Sequence, residues 1–423
     1  MHRFFKGDFF NFETVRILGM TAHGGADVAE VLEAVGQIRD GDAASWGRAW
    51  KTQAERAEAL AEEALRAGHI PLARQAFLRA SNYTRASTYM FIGDGPDRLH
   101  PKQVEAGEKM TALFRKGAEM LDCGFRRFEI PYKEQADVTL PAYLYLPSAD
   151  KRLPGGGKIP VLIACCGGDA PQEEIYYLHP SAGPDLGYAV LTFEGPGQGR
   201  VLRQDSIKMR PDWEVVTACV LDFLEGLARD RPEFELDMVK ACIALDPFFS
   251  LWDFAMQRGT PAIVGAWDRG WISSGFIDGV LGLGMRLSFQ MRWELSTAGT
   301  LFGLGSPARS MQEMKRYTLG GDTSPYLERI QCPVLVSGAS DSLYFDPSHH
   351  SVRVLNGLKN VAEKEKELWL ASTPGEGALQ AKVGAFQLVN QKTFTFLDKR
   401  FGIERVVGGS NGHAARSGAA DLS

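Results

Sequence analysis

Residues 159–169 read IPVLIACCGGD. Eight residues pass without a charge, and the run stops at a pair of glycines. An alternating strand shows one face to water; a strand without alternation is covered on both faces, which is the situation inside a parallel sheet. The pattern returns at YAVLTFEGPGQG (188–199), again an apolar run closed by a glycine-rich turn. A helix-like segment from 171 lies between the two, and a helix starting at Pro211 is predicted over 211–230. Strand–helix–strand–helix alternation specifies an α/β fold with a parallel sheet. Upstream, FRRFEIPY (125–132) and VTLPAYLYLP (138–147) alternate and flank the polar turn KEQAD, as antiparallel neighbours do. Downstream, IQCPVLVSGASD (330–341) restarts the sheet, KELWLAS (366–372) continues it, and a closing helix is expected over 384–400.

The flanking segments read as helices. GADVAEVLEAVGQI puts Val28, Val31, Leu32, Val35 and Ile38 on one stripe, and Trp46, Trp50, Ala54, Ala57, Leu60, Ala61 and Leu65 continue the pattern in a second helix. Residues 250–320 are rich in Trp, Phe, Gly and Met and interrupt the sheet; within 276–305 only Asp278, Arg286, Arg292 and Glu294 are charged. The expected organisation is a helical domain over 1–123, a first part of the α/β core over 124–249, an inserted helical lid over 250–320, a second part of the core over 321–403, and a small polar tail over 404–423 expected to be disordered.

Composition limits what such a chain does. A formal charge of −5 with scattered basic residues gives no footprint for a nucleic-acid partner. No apolar run is long enough to span a membrane, and the start MHRFFKGDFFNFE has no apolar core of a secretory signal, so a cytoplasmic protein is expected. The six cysteines show no CxxC spacing and read as reduced thiols. No metal-ligand cluster is evident and no cofactor is expected; GPGQG lacks the GxGxxG spacing and GGGK precedes a strand instead of opening a helix.

A hydrolytic α/β sheet needs three things: oxyanion donors after an early strand, a nucleophile on a tight strand-to-helix elbow, and an acid followed by a histidine. Gly167 and Gly168 stand where bare backbone N–H groups meet a developing oxyanion. Asp341 ends a strand at the position of the acid. Glu194, on the turn after the next strand, either holds a polar group of the substrate or caps its own turn; Trp252 and Trp267 of the insert are expected to touch an apolar substrate. The rest is missing. No GxSxG, GxCxG or GxDxG occurs, and ELD (235–237) runs straight into VKACIALDP (239–247), as though a strand, elbow and helix had been cut out. Of the histidines after Asp341, His349 and His350 come before the last strand and His413 lies in the tail; Gln380 stands where the base belongs, and its amide has no useful pKa. Losing a central strand exposes ladder groups unless the next strand slides in.

FFNFE (9–13), SNYTRAS (81–87), GYAVLTFEGPGQG (187–199), MRPDWEVVT (209–217), KACIALDPFFSLWDF (240–254), CPVLVSGASDSLYF (332–345) and LQAKVGAF (379–386) resemble fungal α/β-hydrolases of secondary-metabolite gene clusters, the fusarin-type and pigment-pathway polyketide hydrolases, related to FrsA-like esterases and pseudooxynicotine hydrolase. The resemblance covers residues 9–403. It implies a helical N-terminal domain, an α/β-hydrolase core with a lid, and a serine elbow that cleaves ester, thioester or C–C bonds of a polyketide-derived apolar substrate. It also implies that the elbow belongs between ELD and VKACIALDP, where this chain departs from the pattern. Two alternatives stay open: a pseudo-hydrolase that binds a polyketide or a protein partner without turnover, and an enzyme using Asp246 or Cys242 as nucleophile. A homodimer through the N-terminal helices is an expectation by analogy.

Overall fold

The computed structural model describes every residue except 1, 94, 96–97, 154–156, 169, 239–240, 321–325 and 406–423; the tail beyond 405 therefore lies outside the described residues. Five helices come first: α1 (Asp8–Gly19), α2 (Val28–Gln37), α3 (Ala43–Arg66), α4 (Ile70–Tyr89) and α5 (Pro101–Ala118). Asp27 and Asp42 cap α2 and α3 with side-chain oxygens, supplying acceptors to otherwise orphaned N–H groups. Their common core is aromatic: Trp46, Trp50, Phe77 and Tyr83 are fully buried, and Phe10 meets Trp46 edge-on. The predicted stripe of α2 is shifted. Val31 and Ala34 point inward, while Val28 and Leu32 stay half exposed. On α3 the inner face is carried by the alanines and tryptophans, and Leu60 and Leu65 are exposed. Small side chains let α3 and α4 approach closely, so the larger leucines have no room between them.

The sheet begins with β1 (Gly124–Pro131) and β2 (Thr139–Leu146), antiparallel with Gly124 opposite Leu146, followed by β3 (Ile159–Cys165) and β4 (Ala189–Phe193), parallel with Val161 opposite Ala189. Two short helices, α6 (Gln172–Ile175) and α7 (Gly199–Arg203), follow β3 and β4, and the long α8 (Glu214–Asp230) leads to a two-residue strand, β5 (Leu236–Asp237). Then come β6 (Cys242–Ala244), the inserted helices α9 (Trp252–Arg258), α10 (Pro261–Asp268), α11 (Ser274–Leu287), α12 (Phe289–Phe302) and α13 (Pro307–Glu313), and the closing units β7 (Val334–Ala339), α14 (Ser351–Gly357), β8 (Lys366–Ala371) and α15 (Phe386–Phe401).

The strands do not form one sheet. Among the described residues one sheet runs β1-β2-β4-β3-β5 and a second runs β6-β7-β8. β5 pairs with β3 only at Ile159–Leu236 and Pro160–Asp237; β6 pairs only with β7. From Val161 to Cys165, β3 therefore has a strand partner on one side alone, and so does β6. Burial records the break. β4 and β7 are buried along their whole length, whereas Cys165 and Cys242 are exposed and Ile163, Ile243 and Ala244 only half-buried. Among the described residues β6 does not pair with β3. β6 keeps its register on β7, Cys242 opposite Val334, because its apolar side chains are already matched to that neighbour.

A shared core, with Leu162, Val190, Leu335 and Phe394, packs side chains from both sheets together. Behind it His179 is buried with Nδ1 3.1 Å from Asn390 Oδ1. Burial pulls its pKa from 6.5 down to about 4. The unfolded chain then takes up a proton first as pH falls, so stability present above pH 6.5 is lost on the way down to about 4, by about 3 kcal/mol. Urea unfolding as a function of pH should show this slope, and His179→Gln should flatten it; parallel curves for the two chains would refute the assignment.

Candidate active site

The oxyanion loop follows β3. The Ala170 N–H closes on the Gly167 carbonyl (3.3 Å), and the N–H groups of Gly167 and Gly168 have no acceptor among the described residues. Gly168 lines an open cleft of about 870 Å³, solvent mouth included, walled by α4, α5, the Gly199 turn and α12. The loop is held from behind by Gln198, whose amide donates to the Cys166 carbonyl (2.6 Å) and accepts from the Gly195 N–H (2.9 Å).

Glu194 is fully buried and does not line the cleft. Its carboxylate accepts from the backbone N–H groups of Gln172 (2.9 Å) and Arg200 (2.6 Å), pinning the starts of α6 and α7 to the end of β4. Of the two roles open to it in the sequence, the geometry gives it the turn. Burial, reinforced by the neighbouring Glu173, pushes its carboxyl up to about 6. Gly199 has φ +39°, and a Cβ there would lie 1.9 Å from the Glu194 carboxyl carbon, so only glycine lets the chain pass so close.

Asp341 sits exposed on the turn after β7, its N–H bonded to the Ala378 carbonyl at 2.9 Å. That bond brings the loop after β8 alongside, and Gln380 arrives next to the acid position: its side-chain oxygen accepts from the Ser342 hydroxyl and its amide reaches the Asp246 carbonyl at 3.5 Å. His350 is buried away from this turn, accepting the Phe249 N–H on Nδ1 (3.0 Å), and His349 is on the surface near Asp346. Trp252 and Trp267 pack on each other (5.7 Å) inside the insert, where the Trp267 indole also donates to Ser274; neither lines the cleft. The aromatic side chain that the insert does send into the cleft is Trp293 of α12, held by its indole N–H on the Tyr89 carbonyl (2.8 Å). Nothing in the local sequence around Trp293, QMRWE (290–294), marks it off from the other tryptophans.

Neither alternative nucleophile is presented for attack. Cys242 stands on the open edge of β6, yet the apolar groups around it push its thiol up to about 11, so it is protonated at neutral pH. Asp246 has φ +47°, which an aspartate tolerates, but its carboxylate is buried in an ion pair: Oδ1 takes Lys382 Nζ (2.9 Å) and the Ser337 hydroxyl (2.7 Å). Lys382 itself is wholly buried, donates to the Gly338 carbonyl (2.8 Å) and lies over the Trp369 ring. Among the described residues no group of His, Cys, Asp and Glu could hold a metal ion, and no helix is long and apolar enough to cross a membrane.

No family model matches the chain. It is similar to the hydrolase ORFZ of Pyricularia oryzae, 56% identical over 428 residues covering 96% of this chain and 99% of the relative, and to the α/β hydrolase psoB of Aspergillus fumigatus, 42% identical over 96% of each. The aligned 428 residues exceed the 423 of this chain, so the Pyricularia relative carries residues with no counterpart here. Among solved structures, 2,6-dihydroxy-pseudo-oxynicotine hydrolase superposes with a TM-score of 0.64 at 16% identity, covering 92% of this chain and 97% of that one, which shows a common fold. With relatives at this identity along nearly its whole length, the chain belongs to the family of fungal α/β-hydrolases of secondary-metabolite gene clusters.

Proposed function

We propose that this fold serves a serine hydrolase of a secondary-metabolite pathway, cleaving an ester, thioester or C–C bond of an apolar, polyketide-derived intermediate, and that its nucleophile elbow belongs in the gap between β3 and β6. The observation that carries this reading is the pair of open edges, one on β3 and one on β6. The first two residues of a strand are in place beside β3, the following strand is in place beside β7, and what an elbow strand would fill lies between them. A serine on a turn at that point would sit beyond the C-terminal end of β3, beside the Gly167–Gly168 loop, with Asp341 as the acid beyond β7. The cleft at Gly168 supplies room and apolar wall for the substrate. Exposed Val28, Leu32, Leu60 and Leu65 support a homodimer through α2 and α3 as part of the same reading. A cytoplasmic site of action belongs to the same reading, supported by six cysteines that form no disulfide among the described residues.

The test is direct. Transcripts read across the codons for Leu236 to Lys240 should yield a coding strand–GxSxG–helix segment, and the chain of 423 residues should take no label from a fluorophosphonate. A saturable serine adduct on the unaltered chain would overturn the reading. Continuous genomic coding across that junction would instead favour the second one, a pseudo-hydrolase. The cleft, which is formed in this chain without any elbow, supports ligand binding without turnover.

A further inference from the structure

We propose that the outer edge of the insert, α11 with the turn before it, is a docking face for an anionic lipid bilayer, which it touches without crossing. The proposal takes from the reading above only the apolar substrate, for which a bilayer is the reservoir.

Phe276, Val280, Leu283 and Leu287 recur on α11 at steps of four, three and four residues, so they form one continuous stripe along the helix. Each is half or more exposed, and Leu287 reaches 81%. Trp271, just ahead of the helix, is 75% exposed. The opposite face is apolar too: Ile277, Leu281 and Met285 pack into the insert's own core. A helix that is apolar all round is ordinarily buried all round. Here the outer face is bare among the described residues, and Gly275, Gly279 and Gly282 have open space where a Cβ would stand.

Charge selects the occupant. Arg269 stands at one end of the stripe, and Arg286 and Arg292 stand toward the other; all three are exposed and form no ion pair among the described residues. Arg269 lies over the Trp271 ring at 4.4 Å, and Arg292 over Phe289 at 5.5 Å. The acids nearby are engaged. Asp268 pairs with Lys315, and Asp278 accepts from the Ser306 hydroxyl (2.7 Å) and the Ala308 N–H (2.8 Å). An apolar stripe with a cationic rim and a tryptophan at its edge is the composition of a helix lying in a headgroup layer. A second copy suits the face poorly, because a two-fold contact through it sets arginines against arginines. The stripe also offers no side-chain donor or acceptor for the hydrogen bonds that a protein interface carries. At Ser288 α11 gives way directly to α12, which sends Trp293 into the cleft, so the lipid face and the cleft wall belong to consecutive helices.

The full chain is tested by co-sedimentation with two kinds of vesicle, phosphatidylcholine alone and equal parts of phosphatidylcholine and phosphatidylserine. Binding to the anionic vesicles should be about 10-fold or more tighter and should weaken as salt is added. Leu283→Ser with Leu287→Ser should weaken it about 10-fold or more. Arg269→Gln with Arg286→Gln should remove most of the preference for phosphatidylserine and leave binding to neutral vesicles unchanged. All four side chains are exposed, so the fold does not rest on them, and circular dichroism checks each variant. No binding to either vesicle, equal binding to both, or variants that bind as the unaltered chain does overturn the proposal. So does a dimer in sedimentation equilibrium that Leu283→Ser with Leu287→Ser dissolves, which gives the face to a second copy. None of these results needs a nucleophile, so this inference and the elbow reading fail separately.

Discussion

A chain that receives a strand–GxSxG–helix segment between Asp237 and Cys242 gains two properties at once. It becomes labelled stoichiometrically by a fluorophosphonate on the inserted serine, and the amides of β3 and β6 exchange with solvent about 1,000-fold more slowly, a gain of about 4 kcal/mol in local opening. The labelling follows from position: a residue at the tip of that strand stands beside the loop whose Gly167 and Gly168 N–H groups are unspent. The exchange effect follows from the edges. A central strand gives backbone partners to β3 from Val161 onward and to β6, and covers Ile163, Cys165 and Cys242. Each hydrogen bond contributes about 1 kcal/mol net and each newly buried aliphatic side chain about 1.5–3 kcal/mol, against an ordering cost of similar size per residue. Asp341→Asn in the restored chain should slow labelling about 100-fold or more, because the acid of a serine site acts by orienting and stabilising the base. A restored chain that folds, protects its amides and still takes no label would remove the serine from the mechanism.

The second large effect concerns Lys382. Its ammonium is wholly buried 2.9 Å from Asp246, and the contact ties the end of β6 to the loop that presents Gln380 beside Asp341. Lys382→Met leaves a buried carboxylate with only the Ser337 hydroxyl for company. The expected loss is about 3–5 kcal/mol in urea unfolding, the cost of stranding one member of a buried pair. Removing both charges, Asp246→Asn with Lys382→Met, should recover most of that loss, since the penalty belongs to the unpaired charge more than to the missing attraction. The idea is sunk by a single substitution that costs less than about 1 kcal/mol, or a double one no better than the single.

How much of this could be read beforehand differs from element to element. IPVLIACCGGD and YAVLTFEGPGQG announced paired parallel strands because a run apolar on both faces has few other places to go. The junction at ELDMVKACIALDP announced the gap, since two strands cannot meet without a connection. The sequence could not tell that β6 would hold to β7 instead of moving across; that choice depends on side chains matched over some ninety residues of chain, Cys242 against Val334. Arg85 was quoted within SNYTRAS and given no task. Its helical spacing is that of an ordinary solvated arginine, and only Glu174, drawn in from a distant segment, makes it a buried, ion-paired side chain. Trp252 and Trp267 failed to reach the cleft for a related reason: the insert has a core of its own, with Ala255, Val264 and Leu295, and it claims them.

The two open edges also bear on how the molecule behaves in company. Unpaired strand edges are templates, and β3 and β6 each offer a short row of free N–H and C=O groups flanked by apolar side chains. At high concentration another molecule's strand satisfies those groups by pairing with either edge. Yield, solubility and chaperone retention are therefore the properties through which a cell would first register these open edges.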